Sequence, residues 1–209
     1  YINNCSKKMD ISNMLEMHNQ IISIPAKKMI NFSKKISINN KGFSELEKIS
    51  FNSLIQWDFN MDKESYEACI YTVTKEMLIE KIISINYGSL SEEVINWRNE
   101  GGISHVRRFL VPLINESIGD KDSFLINGLS WEELFLDSFR KAIEFLKDKF
   151  GDSIFDWKWG ALHTTNHTHP LSSEFHEYSE ILNPKKVPAS GDGDTPLAGS
   201  YDRNFKVSA

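Results

Sequence analysis

The chain is predicted to be an α+β protein, with a mostly helical lobe over residues 1–151 and a short strand- and loop-rich segment over residues 152–209. Three observations carry that reading. Apolar residues recur at helical spacing in successive stretches up to Phe150. Gly151 is placed to stop the last of these patterns. Beyond it Gly, Pro, Thr, Ser and His become frequent, and helical periodicity gives way to short β-branched runs between turn residues.

Ser12 reads as the N-cap of a first helix carrying Met14, Leu15, Met17, His18, Ile21 and Ile22. Pro25 breaks or kinks it, because proline lacks a backbone donor and disfavours helical geometry at Ile24; a second helix runs from there to Ile36. Asn39-Asn40-Lys41-Gly42 reads as a turn. Ser44 and Glu47 have capping-box spacing and open a helix with Leu46, Ile49, Leu54 and Ile55 on its apolar side. The stretch from Trp57 to Ser65 separates it from a longer helix, apolar over a broad face through Ala68, Ile70, Tyr71, Met77, Leu78, Ile82 and Ile83.

Ser91 with Glu92 and Glu93 opens a short helix that Gly101-Gly102 ends, and Ile103 to Ile114 reads as another, kinked or ended at Pro112. Ser130 opens the last helix, striped by Leu134, Phe135, Ser138, Phe139, Ala142, Ile143 and Leu146. After Gly151, Leu162 to His169 has strand-like content, Thr195 to Ser200 and Asn204 to Val207 are further short strand candidates, and Lys185 to Asp194 is a loop.

Bulk composition excludes several classes. A chain of 209 residues with 40% hydrophobic and 25% charged residues is ordinary for a globular domain or a compact lobe of a larger one. A net charge of −5 argues against a general nucleic-acid binder, which shows a basic stripe. No apolar run is long enough for a transmembrane helix; Leu78 to Ile85 is already interrupted by Glu80 and Lys81. The sequence opens at Tyr1 without a signal-type segment, so it is expected to be a piece of a longer protein. Two cysteines define no disulfide framework; Cys69 lies in an apolar helical pattern and reads as a buried thiol, and nothing near Cys5 would lower its pKa.

The costliest residues fall in a fixed order: Trp157-Lys158-Trp159-Gly160-Ala161-Leu162-His163, then His169-Pro170-Leu171, then Gly191-Asp192-Gly193-Asp194-Thr195. A Trp pair carries large apolar area and needs partners for its indole donors. A Gly-x-Gly turn flanked by Asp lets the backbone turn beside acceptor side chains. This order resembles the C-terminal part of the penicillin acylase family, which carries W-x-W-G-x-x-H, H-P-L and G-D-G-D-T. Upstream, Trp57-Asp58-Phe59-Asn60-Met61-Asp62-Lys63-Glu64-Ser65 resembles the family's W-D-G-x-M-x-x-D-S element, with Phe59 in place of the usual Gly. Ser12 to Met29 is similar to the helix pair that precedes this element, and Ser130 to Phe150 to the last long helix, so the resemblance covers nearly the whole chain.

The resemblance implies a fragment of an αββα sandwich hydrolase with an N-terminal nucleophile. In that family a self-cut precursor exposes a Ser whose own α-amino group serves as base, and backbone groups with an Asn side chain hold the oxyanion. Nucleophile and oxyanion Asn precede the matched region. Tyr1 offers no such pair, and Asn3 and Asn4 lie too close to the matched helix to be equated with the oxyanion Asn. No catalytic residue is therefore expected in this chain, and the fragment alone is expected to be inactive. The family's calcium-binding acidic residues also lie upstream, so a structural calcium is expected only in the parent.

Each other candidate has two readings. His163, His167 and His169 form H-x-x-x-H-x-H, which on one strand face would suit zinc; packing or hydrogen bonding by His163 in a sheet is the alternative. Asp192 and Asp194 read as an acid/base pair, a calcium site or a simple turn. The resemblance favours a place near the cleft, with Asp194 a candidate carboxylate supporting a His beside the nucleophile. Trp157 and Trp159 read as core before they read as an acyl-group wall. His18 and His105 read as partly buried or surface residues, and Ser130 and Ser172 have no His/Asp partners near them in sequence.

The function expected of the parent is hydrolysis of a linear amide, penicillin-type or N-acyl, through an acyl-enzyme. Its partners would be the upstream remainder of the precursor (the alpha chain and the N-terminal part of the beta chain) and a small amide, with no nucleic acid; the resemblance alone suggests export. The missing upstream strands would leave open edges at Leu162 to Pro170 and Thr195 to Val207, through which the fragment could self-associate. The alternative is a stand-alone helical protein-interaction module without catalysis.

Overall fold

The computed structural model describes residues 9–38, 42–97, 104–165, 167–197 and 201–203. Its centre is a helix that has no solvent face along most of its length. α4 (Tyr66–Tyr87) is buried at every position from Ala68 to Glu76 and again at Leu78, Ile79, Ile82 and Ile83. The broad apolar face expected from its spacing is instead a nearly complete buried girdle that includes Thr72, Thr74, Lys75 and Glu76. Neighbours on several sides cause this: α4 packs along α7 (Trp131–Phe150) and also meets α3 (Glu45–Gln56), α5 (Ser91–Trp97), α6 (Ser104–Ser117) and α8 (Trp159–Leu162).

The surrounding helices start where short polar side chains take up free N–H groups. Ser44 and Glu47 form the expected capping box of α3, Ser65 accepts from Ala68 N at the start of α4, and Ser130 accepts from Glu133 N at the start of α7. Gly151 ends α7 with φ +89°, a conformation that excludes most side chains. α7 is strongly one-sided, burying Leu134, Phe135, Ser138, Phe139, Ala142, Ile143 and Leu146 as its stripe predicts. Phe139 meets Phe51 edge-on at 5.6 Å, which ties α7 to α3.

Several expected boundaries move. The first helix, α1 (Ile11–His18), is capped by Asp10 in a reciprocal box with Asn13; Ser12 lies inside it, because the Asp10 side chain already takes up the N3 amide. Ile21 and Ile22 fall outside, in an extended link where Ile22 bridges Asn60. α2 (Ile24–Ser33) is capped by Ser23 and has Pro25 in its first turn, where the missing N–H costs nothing; it stops at Ser33, short of Ile36. α6 runs through Pro112 to Ser117. The Asn39–Lys41 part of the predicted turn, the Gly101-Gly102 stop, and Asn204 to Val207 lie outside the described residues.

Among the described residues strands are confined to the end of the chain, but differ from the expected segments. β1 is only His163–Thr165, since Leu162 closes the α8 turn and His169 caps a 3₁₀ turn at Pro170–Ser173. β2 is Tyr201–Arg203, antiparallel to β1 with His163 opposite Arg203. Thr195 to Leu197 is bent, not extended. The other edge of β1 is also taken: Thr165 N donates to Val187 O and Ala189 N to His163 O, both at 2.9 Å, around a bridge between Thr164 and Pro188. The pairing expected from upstream strands is thus met inside the chain on both edges of β1. Among the described residues no helix is long and apolar enough to cross a membrane.

Candidate functional site

Three motifs far apart in sequence meet at one junction beside α4. The connector from Trp57 to Ser65 supplies the backbone partners. Its Phe59 is left-handed, with φ +69°. Phe59 O accepts from Ser23 N at 3.0 Å and Met61 N donates to Ile21 O at 2.9 Å, so the connector pairs with the link before α2. Its far half faces the other two motifs. Lys63 O accepts from Gly160 N at 2.6 Å, Ser65 O accepts from Trp159 N at 3.1 Å, and Met61 O accepts from Gly191 N at 2.7 Å. Lys63 N in turn donates to Ser190 Oγ at 3.0 Å.

Two glycines make this approach possible. A Cβ on Gly160 would stand 2.7 Å from Pro188 Cβ and 3.0 Å from Lys63 Cβ. Gly191 has φ +79°, and a Cβ there would fall 2.1 Å from the Leu197 carbonyl oxygen. Gly160 of W-x-W-G and Gly191, the first glycine of G-D-G-D-T, are therefore packing requirements.

Trp157 and Trp159 are both core, as expected. Trp157 Nε1 donates to Gly151 O at 2.9 Å and ties the end of α7 to the segment that follows. Trp159 Nε1 donates to Gly191 O at 2.9 Å, and its ring lies flat on His163, with centroids 4.5 Å apart and planes 14° apart. His163 is buried and places Nδ1 2.9 Å from Ala189 O, so that nitrogen carries the proton.

The turn itself is closed by its own side chains. Asp192 Oδ1 accepts from Asp194 N at 2.8 Å, and Asp192 N donates to Thr195 Oγ1 at 2.9 Å. Both carboxylates face Lys75, which comes from the middle of α4. Lys75 Nζ is 2.6 Å from Asp194 Oδ2 and 3.4 Å from Asp192 Oδ2; the side chains of Lys75 and Asp192 are 1% and 2% exposed, and that of Asp194 is 17% exposed. The ammonium also stands 4.9 Å from the Tyr71 ring centre. Tyr71 is buried and its hydroxyl meets no hydrogen-bond partner of acceptable geometry. Burial first, then the charges of Asp192 and Asp194, push this phenol up to about 12, against the pull of Lys75 and of the Ser23 side chain.

The expected residues are placed as follows. Asp192 and Asp194 come together, and the charge they share is the Lys75 ammonium. The three histidines do not converge. His163 is buried on Trp159, His167 is exposed, and exposed His169 accepts from Leu171 N at 3.1 Å through Nδ1. Among the described residues no group of three or more His, Cys, Asp or Glu side chains is placed to hold a metal. Ser130 is a helix cap, Ser172 donates to His169 O, and His18 is exposed. Tyr1, Asn3, Asn4 and Cys5 lie outside the described residues, as does the side chain of His105.

The sequence reading missed Lys75. The available signal was the pair Lys75-Glu76 in an otherwise apolar helix centre, since a charge inside a buried helix needs a partner. A groove of about 640 Å³ between α4, α5 and α7, whose lining includes Met77, Ile95, Phe145, Glu80, Glu144 and Lys141, is lined by none of the three motifs.

The junction unites a W-x-W-G-x-x-H segment, a G-D-G-D-T turn and a Trp-Asp connector in one packed unit. A family model described as Penicillin amidase matches residues 2–209, and the chain belongs to that family. The chain is 27% identical over 156 residues to the penicillin acylase 2 proenzyme of Pseudomonas sp. (strain SE83). That match covers 70% of this chain and 18% of the relative, so the chain spans under a fifth of the relative's length.

Proposed function

We propose that this chain is the helical lobe, with adjoining strands, of an amidohydrolase that cleaves a linear amide between an acyl group and an amine. The reaction passes through an acyl-enzyme on the N-terminal Ser of a segment upstream of the matched region. The observation that carries this reading is the family match through residues 2–209, joined to the packing of its three motifs into one junction. In this reading the fold of the parent is the αββα sandwich, and β1 and β2 belong to its sheets. The upstream remainder of the precursor is the partner of this lobe, and any structural calcium lies on ligands outside this chain.

Asp194 is the group of this chain proposed to serve the reaction, as a carboxylate that orients a His next to the nucleophile. It has the exposure for that role: it is the more open of the two turn carboxylates. The reading is tested by assaying the full-length protein and the 209-residue chain in parallel on a chromogenic phenylacetyl amide. Turnover by the full-length protein and none by the chain is expected. Turnover by the purified chain, or none by a processed full-length protein on aromatic, aliphatic and dicarboxylic acyl amides, overturns it.

A second reading, a stand-alone interaction module, is favoured by one observation: both edges of β1 are paired within the chain. Sedimentation separates the two. A concentration-independent monomer with β1 strongly protected from hydrogen exchange supports the module, and self-association supports the lobe.

A further inference from the structure

Lys75 is hard to account for as a stabilising contact. A long, rotamer-rich cation has been taken fully out of water, and an apolar side chain of similar length would fill the same space without that loss of hydration. What a buried ion pair adds over an apolar contact is direction. It rewards one arrangement of its partners and penalises others, because misplacing either carboxylate leaves a charge unmatched in the interior.

The partners of Lys75 are placed to pass that direction on. Asp192 uses Oδ2 toward Lys75 at 3.4 Å and Oδ1 to hold Asp194 N at 2.8 Å. One carboxylate thus joins the helix to the internal geometry of the turn. The preceding residue, Gly191, is fixed through N–H to Met61 O at 2.7 Å and presents its carbonyl to the Trp159 indole at 2.9 Å. Trp159 stacks on His163, and His163 returns to the same loop through Ala189 O at 2.9 Å. The contacts form a closed path from α4 through the turn to the first residue of β1 and back.

We infer that Lys75 is a positioning residue: its paired contacts with Asp192 and Asp194 set the Asp194 carboxylate and, through the Gly191 carbonyl, the Trp159–His163 stack at the head of β1. The bearing on catalysis rests on the reading of Asp194 given above; the positional claim about the turn and the stack does not.

The test uses the 209-residue chain and its native-state ¹H–¹⁵N spectrum. Lys75→Met is expected to displace the Trp159 indole resonance, identified by its loss in Trp159→Phe. It should also speed exchange of the Asp194 and Thr195 amides about tenfold or more. The Trp131 indole, bonded to Asp120 O on another side of the molecule, should stay in place. The neutral triple variant Lys75→Met/Asp192→Asn/Asp194→Asn is expected to regain thermal stability over Lys75→Met yet keep the displaced resonance. A role limited to neutralising buried carboxylates predicts the reverse, with the resonance back at its native position. An unmoved Trp159 resonance in Lys75→Met, whatever happens to its melting temperature, overturns the inference. If Lys75→Met fails to fold, Asp192→Asn, which removes the charge that joins Lys75 to the Gly191 side of the turn, carries the same readout, and an unmoved resonance in it overturns the inference equally. A full-length protein without amidase activity, together with a displaced resonance in Lys75→Met, would overturn the amidohydrolase reading and leave the positioning role standing.

Discussion

Gly191 and Leu197 approach so closely that a single added carbon on Gly191 would stand 2.1 Å from the Leu197 carbonyl oxygen. The turn between them is therefore closed by backbone contact, with the Thr195 hydroxyl, 3.0 Å from the same oxygen, beside it. This closeness separates two glycines that share one backbone angle. Gly191 and Gly128 both have φ +79°, but nothing lies within 4 Å of a Cβ built on Gly128.

Gly128→Ala should accordingly cost only the strain of a side chain at positive φ, about 1–2 kcal/mol. Gly191→Ala should cost more than about 3 kcal/mol, because backbone must move as well. Urea denaturation of the two variants measures the difference; equal losses would show that the turn relaxes freely.

Phe59 is left-handed, with φ +69°, in the connector between α3 and α4. Its ring meets Trp57 edge-on at 5.8 Å, so Phe59→Gly removes both a contact and a strain. Phe59→Ala removes the contact and keeps the strain. The glycine variant should be the more stable of the two by about 1 kcal/mol, the cost of a Cβ in this region. Equal denaturation midpoints would mean that the connector shifts out of the left-handed region when the ring is lost.

Tyr71 sets a limit at high pH. Its phenol is raised from about 10 in the unfolded chain to about 12 in the fold, so the unfolded state releases its proton first as pH rises. The sign follows: stability from this group is intact below pH 10 and is lost as pH rises from about 10 toward 12, by roughly 2–3 kcal/mol. Tyr71→Phe should lack that step. It should match or exceed the wild type at neutral pH, since it removes a buried hydroxyl that makes no hydrogen bond of good geometry. Urea midpoints of both proteins between pH 8 and pH 12 check this.

Cys69 is buried in α4, and burial pushes its thiol far above the usual range. Thiol labelling followed by peptide mapping should leave Cys69 unmodified in the native chain and modify it fully in urea. Rapid native labelling would show that α4 opens locally without global unfolding.

Much of the helical lobe was legible because its signals are local. A Ser followed three residues later by Glu at Ser44 and Glu47, the stripe from Leu134 to Leu146, and Gly151 after it each act within a few residues, and each holds in the fold. The same kind of reasoning puts the cap of α1 at Ser12 where the fold uses Asp10, since polar residues two positions apart compete for one role. The short strands were less legible. Three residues of β1 carry little periodicity, and its partners at Val187–Ala189 and Tyr201–Arg203 are chosen by where the chain returns, not by their own composition.

By itself the sequence determined the family, the order of helices, the burial of Trp157 and Trp159, and a turn at G-D-G-D-T, because each rests on residue identity and spacing along the chain. Only the tertiary structure decided what the turn's carboxylates face. Lys75 and Asp194 are separated by 119 residues and brought within 2.6 Å by the packing of α4 beside the junction. A charge's partner inside a protein is set by distances across the fold, and sequence spacing holds no record of them until the chain has closed.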